Sequence, residues 1–119
     1  MLIALDFDGT VCKHEYPNIG KDLPNCISIL KQLLAKKHQL ILNTMRSGKE
    51  LQEAVNWLNS QGIKLYGINK NPTQTSWTTS PKVYAEIYID DAALGCPLDK
   101  NGSVDWYAVE EILIAMNIL

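Results

Sequence analysis

The sequence predicts an α/β fold: a doubly wound, mostly parallel sheet of the Rossmann-like kind, with helices on both faces and no separate cap domain. Three observations lead there. Short apolar runs alternate with stretches of helical periodicity, in the order strand, helix, strand, helix, strand, crossover, strand. Several of the runs end abruptly in polar residues, as strands do at the ligand-binding edge of an open α/β sheet. The chain has 119 residues, 46% of them apolar, which is enough for one domain with a real core and leaves no room for a second.

The first run, Leu2-Ile3-Ala4-Leu5, leads into Asp6-Phe7-Asp8-Gly9-Thr10. Ile3 and Phe7 favour extended backbone, so the run reads as a buried strand. In extended geometry residues i and i+2 point to one side, which places the Asp6 and Asp8 carboxylates together at the strand's carboxyl end. Two such anions repel unless a cation or a shared proton intervenes, and Mg2+ is the simplest neutraliser because it prefers oxygen ligands. Gly9 permits a turn there and exposes nearby backbone N–H groups. A chance Asp-x-Asp-Gly-Thr is expected about once in 10^5 positions, although Asp and Gly by themselves are ordinary turn residues.

Residues 11–24, punctuated by Pro17, Gly20 and Pro24, read as a loop or flap overhanging the aspartates. His14 lies in it, and a lone loop histidine is assigned no role. Helical spacing of Ile27, Leu30, Leu33 and Leu34 predicts a helix over 23–37. A second strand over 39–44 ends at Thr44, with Met45, Arg46, Ser47 and Gly48 following at another strand-to-helix junction. A helix over 49–60 carries Leu51, Val55 and Leu58 on one stripe and stops at Gly62. A short strand covers 63–68, and 69–81 is a long irregular crossover in which Trp77 anchors the loop or lines a pocket. A fourth strand over 83–89 ends in Asp90-Asp91. Residues 92–105 are loop-like with room for a small hairpin, and the last helix spans 105–117. The apolar breadth of that helix means deep packing, or a contact through which the chain forms a homo-oligomer.

The charge balance excludes several classes. The formal net charge is -2 and the charges are mixed, so a nucleic-acid surface is not expected. No apolar run approaches the roughly 20 residues that cross a bilayer. The first strand starts at residue 2 and leaves no space for a signal peptide. Cys12, Cys26 and Cys96 are odd in number and lack metal-ligand spacing, which fits reduced thiols in the cytoplasm and small filler residues better than a disulfide framework.

If the strands are parallel, Asp6, Asp8, Thr44, Asp90 and Asp91 lie along one edge. Lys82, eight residues before Asp90, can reach the same place. Carboxylates suit Mg2+; a hydroxyl, an ammonium and backbone N–H groups suit a phosphoryl group. An aspartate can also act as a nucleophile towards phosphorus while a second carboxylate serves as acid and base.

This arrangement resembles the haloacid dehalogenase-like hydrolase superfamily, in its phosphatase branch, over most of the chain from Leu2 to about Gly95. Asp6-Phe7-Asp8-Gly9-Thr10 is similar to that family's first motif, Thr44 to the second, Lys82 to the third and Asp90-Asp91 to the fourth. The resemblance implies Asp6 as nucleophile and Mg2+ ligand. It implies Asp8 as the acid/base that also binds the metal through its carbonyl. Thr44 and Lys82, beside the Gly9 turn, would hold the phosphoryl oxygens, and Asp90 or Asp91 or both would complete the metal site. Arg46 is not a general family residue; it either contacts a second anionic group of the substrate or is a surface arginine. The gaps between motifs are too short for a sizeable cap, so the resemblance is to a capless or minimal-cap member. The expected activity is Mg2+-dependent hydrolysis of a small phosphorylated substrate, a sugar phosphate or nucleotide first. A phosphoacceptor signalling domain or a scaffold on the same fold is the alternative. Asp8 argues against the signalling reading, and a persistent phosphoenzyme would support it.

Overall fold

The computed structural model describes residues 1–119. Its main sheet has four parallel strands. These are β1 (Leu2–Leu5), β4 (Gln39–Leu42), β5 (Gly67–Ile68) and β6 (Ile87–Ile89), in the order β5-β4-β1-β6. Three helices accompany it: α1 (Cys26–Ala35), α2 (Gly48–Ser60) and α3 (Trp106–Ala115). A separate antiparallel hairpin joins β2 (Cys12–Glu15) to β3 (Asn18–Asp22). The chain is thus an α/β fold with a mostly parallel four-stranded sheet and three helices.

Both expected faces of the sheet are covered, but not both by helices. Ile3, Leu5, Leu40 and Leu42 share one core with Ile29, Leu33, Leu58, Trp106 and Leu113, so all three helices contribute to the same cluster. The connections β1-α1-β4 and β4-α2-β5 step in the same direction, and right-handed crossovers then place α1 and α2 on one face. The return from β5 to β6 steps the other way and contains no helix. Ala4 and Ile41, which alternation points to that second face, are buried yet lie outside the cluster. The crossover over 69–86 takes the place of the missing helix.

That crossover explains why two strands are shorter than expected. Pairing begins at Ile87 and not at residue 83 because the preceding backbone is held by side chains. The Tyr84 N–H donates to Gln74 Oε1 at 2.8 Å, and the Ala85 N–H to the Tyr88 hydroxyl at 3.1 Å. The Gln74 amide donates in turn to the carbonyls of Lys82 and Ser80, at 2.6 and 3.0 Å. Buried Asn71 holds the Tyr84 carbonyl at 3.0 Å. Five backbone groups are thereby satisfied without a ladder. Likewise β5 retains only Gly67 and Ile68 of the run expected from residue 63.

α1 and α3 start and stop inside their expected limits, and α2 begins one residue earlier than expected, at Gly48. Asn25 has φ 69°, which ends the chain's approach and lets α1 begin at Cys26. At its far end Lys37 takes φ 69°, and the N–H groups of Lys37 and His38 return to the carbonyls of Leu34 and Leu33 at 3.0 and 3.1 Å. In α3 the Asp105 side chain accepts from the N–H groups of Tyr107 and Ala108 at 3.1 and 3.2 Å and caps the helix. Tyr107, Ile112, Ile114 and Met116 remain exposed on it. No helix is long and apolar enough to cross a membrane.

The segment expected to be a loop, residues 11–24, is mostly the β2–β3 hairpin. Val11 and Leu23 are buried at its base. Gly20 allows its two strands to approach, because a Cβ there would run into the Lys13 carbonyl. Leu98 and Val104 form a single antiparallel bridge in the later loop.

Candidate active site at the carboxyl edge of the sheet

The parallel register decides which residues meet. Leu5 pairs with Leu42 on one side and with Ile89 on the other. The ladder runs one step further, with the Asp6 N–H donating to the Ile89 carbonyl at 3.0 Å and the Asn43 N–H to the Leu5 carbonyl at 2.8 Å. Asp6, Asn43 and Asp90 therefore leave the sheet at one level, and the polar residues after them converge. A cavity of about 520 Å3 opens there, lined by Asp6, Asp8, Thr44, Arg46, Asp90 and Asp91 from the strand ends and by His14 and Tyr16 from the hairpin.

One side of the cavity is acidic. Asp6, Asp90 and Asp91 each bring a carboxylate oxygen within 4.8 Å of the others. Thr10, fully buried, ties two of them together. Its hydroxyl donates to Asp6 Oδ2 at 2.8 Å, lies 3.4 Å from Asp91 Oδ1, and accepts the Asp91 N–H at 3.0 Å. Thr10 is itself held by the Trp106 indole, which donates to its carbonyl at 2.6 Å. Gly9 has φ +81°, and a Cβ at that position would collide with the Asp91 carboxylate. Burial, the hydrogen bond to Asp91 and the charge of Asp90 push the Asp6 carboxyl up to about 7 against the opposing Thr10 hydrogen bond.

The other side is a neutralised pair. Arg46 Nε donates to Asp8 Oδ2 and one of its terminal nitrogens to Asp8 Oδ1, both at 2.8 Å. Arg46 is 2% exposed. It is not a surface residue, and its guanidinium has an anion, Asp8, within the protein. Hydrogen bonding to Asp8 raises its pKa further. Thr44 lines the cavity beside it. Its N–H donates to Asn69 Oδ1 at 2.8 Å and its Oγ1 accepts the Arg46 N–H at 3.1 Å, which leaves the hydroxyl hydrogen free for a ligand.

Lys82 is not brought to this cavity. Its ammonium lies 5.9 Å from the centre of the Tyr88 ring, in a separate depression with Trp77 and Tyr84. The cause is the side-chain-held stretch 80–86, in which the Lys82 carbonyl is fixed by Gln74. Trp77 is exposed and packs edge-on to Tyr84 with ring centroids 5.7 Å apart, so it belongs to that outer depression and not to the cavity. Cys12 is buried beside the hairpin and burial pushes its thiol up to about 11, which keeps it protonated and unreactive. The sequence reading passed over Thr10, His14 and Tyr16. The Thr10 hydroxyl was legible in principle, since residue i+4 of a tight turn can return to residue i, but its contact with Asp91 spans 81 residues.

The donor set fits a hard divalent cation. An octahedral ion with bonds of about 2.1 Å places its ligands roughly 3 to 4 Å apart, and three converging carboxylates with one proton-hungry member are the environment such an ion relieves. A comparison with protein-family models finds no match, and neither does one with curated proteins. Among solved structures, the conserved protein coded by a locus of Bacteroides thetaiotaomicron is 37% identical to this chain. The match covers 98% of this chain and 91% of that one, with a TM-score of 0.84. This chain belongs to the family of that Bacteroides protein. The match extends over essentially the whole chain.

Proposed function

We propose that this protein is a Mg2+-dependent phosphatase of the haloacid dehalogenase-like type. It hydrolyses a phosphate monoester, with a small sugar phosphate or a nucleotide as the first candidates, on a Rossmann-like sheet. The observation that carries the reading is the convergence of Asp6, Asp90 and Asp91 oxygens within 4.8 Å, in a cavity that also receives Asp8 and Thr44.

In this reading Asp6, Asp90 and Asp91, with the Asp8 carbonyl, would hold the cation, which would supply positive charge for the phosphoryl oxygens and lower the repulsion around Asp6. An Asp6 carboxylate oxygen attacks phosphorus, the P–O bond to the alcohol breaks, and Asp8, which enters this step carrying a proton and leaves it as the carboxylate that Arg46 holds, delivers that proton to the departing oxygen. Asp8 then takes a proton from water, which attacks the aspartyl phosphate and releases inorganic phosphate and free Asp6. Thr10 orients Asp6 through its 2.8 Å hydrogen bond. The Thr44 hydroxyl donates to a phosphoryl oxygen. Lys82 has no part in the reading. A small substrate, acting in the cytoplasm, suits a cavity of about 520 Å3 with no large cap. A homo-oligomer through the exposed apolar residues of α3 is compatible with it.

The experiment is phosphate release from a panel of phosphate monoesters, with Mg2+ and with EDTA, for the wild type and Asp6→Asn. Release that requires both Mg2+ and Asp6 is the expected result. A stable phosphoenzyme without turnover would turn the reading into a signalling one. Release unaffected by Asp6→Asn would reject it.

A further inference from the structure

We propose that Arg46 is a positioning residue, which locks the Asp8 carboxylate and the β2–β3 hairpin into one unit and binds no part of the substrate. A guanidinium has five N–H donors. In this protein all five are engaged within the chain. Two go to Asp8 at 2.8 Å each, and the others to the carbonyls of Asn18 at 2.9 Å, Pro17 at 3.2 Å and Glu50 at 3.3 Å. The group also lies over the rings of Phe7 and Tyr16, with centroids 5.1 and 5.2 Å from Cζ. No donor is left for a phosphate.

The connections have a direction. Phe7 and Asp8 belong to the acidic turn after β1, Glu50 to α2, and Tyr16, Pro17 and Asn18 to the tip of the hairpin. Arg46, four residues before Glu50, reaches the acidic turn and the hairpin tip across 28 to 38 residues of sequence. The Tyr16 ring that it supports lines the cavity. The hairpin is therefore a fixed wall, and whatever sets its tip also sets Asp8. Lysine cannot substitute, because a single ammonium has three donors and no flat face to stack.

The kinetic part of this inference rests on the phosphatase reading, because Asp8's acid/base role comes from it; the hairpin part does not. Hydrogen exchange on the metal-free wild type and on Arg46→Lys tests the hairpin part without any substrate. Amides of the β2–β3 ladder should exchange about tenfold faster or more in Arg46→Lys. Asp8→Asn, which weakens the guanidinium's anchor on the acidic turn but leaves its bonds to Pro17 and Asn18, should speed the same amides by a smaller factor. Unchanged exchange in the hairpin for both folded variants would overturn the lock. If Arg46→Lys does not fold, Asp8→Asn alone decides that point.

Kinetics on the wild type, Arg46→Lys, Asp8→Asn and the double variant test the rest. Arg46→Lys should lower kcat about tenfold or more, with little change in KM or in inhibition by inorganic phosphate. In the Asp8→Asn background the same change should cost less than about twofold, because its route of action is already gone. Additive losses, or a tenfold weaker inhibition by phosphate, would make Arg46 an independent anion ligand and overturn the proposal. A wild type without phosphatase activity would sink the functional reading and leave the exchange result standing.

Discussion

Asp6 and Asp8 are the same residue type two positions apart, and their surroundings are opposite. Asp6 faces Asp90 and Asp91, is partly desolvated, and has its carboxyl pushed up to about 7. Asp8 faces a buried guanidinium that meets both of its oxygens at 2.8 Å. The first carboxylate lacks a counter-charge within the protein and the second already has one. A cation from solution has a reason to settle beside Asp6 and none to settle on the Asp8 side chain. The lesson is that a repeated residue type in a short motif says nothing about charge state; the partners delivered by other strands and loops decide it.

The contrast is sharpest in stability, where one substitution should have two signs. Asp8→Asn leaves Arg46 buried without its anion, a loss of about 3–5 kcal/mol by the behaviour of broken buried pairs. Asp6→Asn removes an uncompensated charge and should raise the melting temperature of the metal-free protein at neutral pH. In activity the two should agree. Under the proposed phosphatase function, Asp6→Asn should cost about 10^4-fold or more in kcat as loss of the nucleophile, and Asp8→Asn about 10^2- to 10^4-fold as loss of the acid/base. Thermal melts beside phosphate-release assays separate the two properties. Equal destabilisation by both variants would erase the distinction drawn between them.

A smaller effect concerns the acidic side alone. Gly9→Ala places a methyl against the Asp91 carboxylate at φ +81°. Strain of this kind costs about 1–3 kcal/mol. The change should also weaken Mg2+ binding, read by calorimetric titration, because Asp91 must move away from Asp6.

The pH dependence has a definite sign. The folded chain holds the Asp6 proton more tightly than the unfolded chain does, since the carboxyl rises from 3.8 to about 7. Its stabilising contribution is therefore complete below the ordinary carboxylate range and is lost as the pH rises through about 7. The metal-free wild type should lose melting temperature relative to Asp6→Asn between pH 4 and pH 8, with saturating Mg2+ reversing the loss at the upper end. A difference between the two that stays constant with pH would show that Asp6 titrates normally.

The smallest effect is expected at Lys82. Its ammonium stands over Tyr88 and outside the cavity, so Lys82→Ala should change kcat/KM by less than about threefold. A loss of a hundredfold would mean that the chain over 80–86 rearranges to deliver the ammonium to the site.

Local pattern made much of this legible. The run Leu2–Leu5 could only be a buried strand, and the carboxylates after it had to emerge at its end. Helical spacing located α1, α2 and α3 to within a few residues, because periodicity reports burial of one face. The cavity's acidic residues were readable because parallel strands bring their carboxyl ends to one edge whatever the loops do. What failed was everything governed by side chains acting on distant backbone. The early loss of pairing before Ile87 depends on Gln74 and Tyr88. The direction in which the chain returns from β5 to β6 puts that crossover on the second face, where it carries no helix.

The amino-acid sequence by itself determined that this chain would form an α/β sheet with aspartates gathered at one edge, because strand and helix periods and turn residues act over a few neighbours. Only the tertiary structure decided what each charge would meet. Arg46 reached Asp8 across 38 residues and Lys82 was carried to another surface. Burial then raised the cost of any unpaired charge enough for those long-range meetings to set the chemistry.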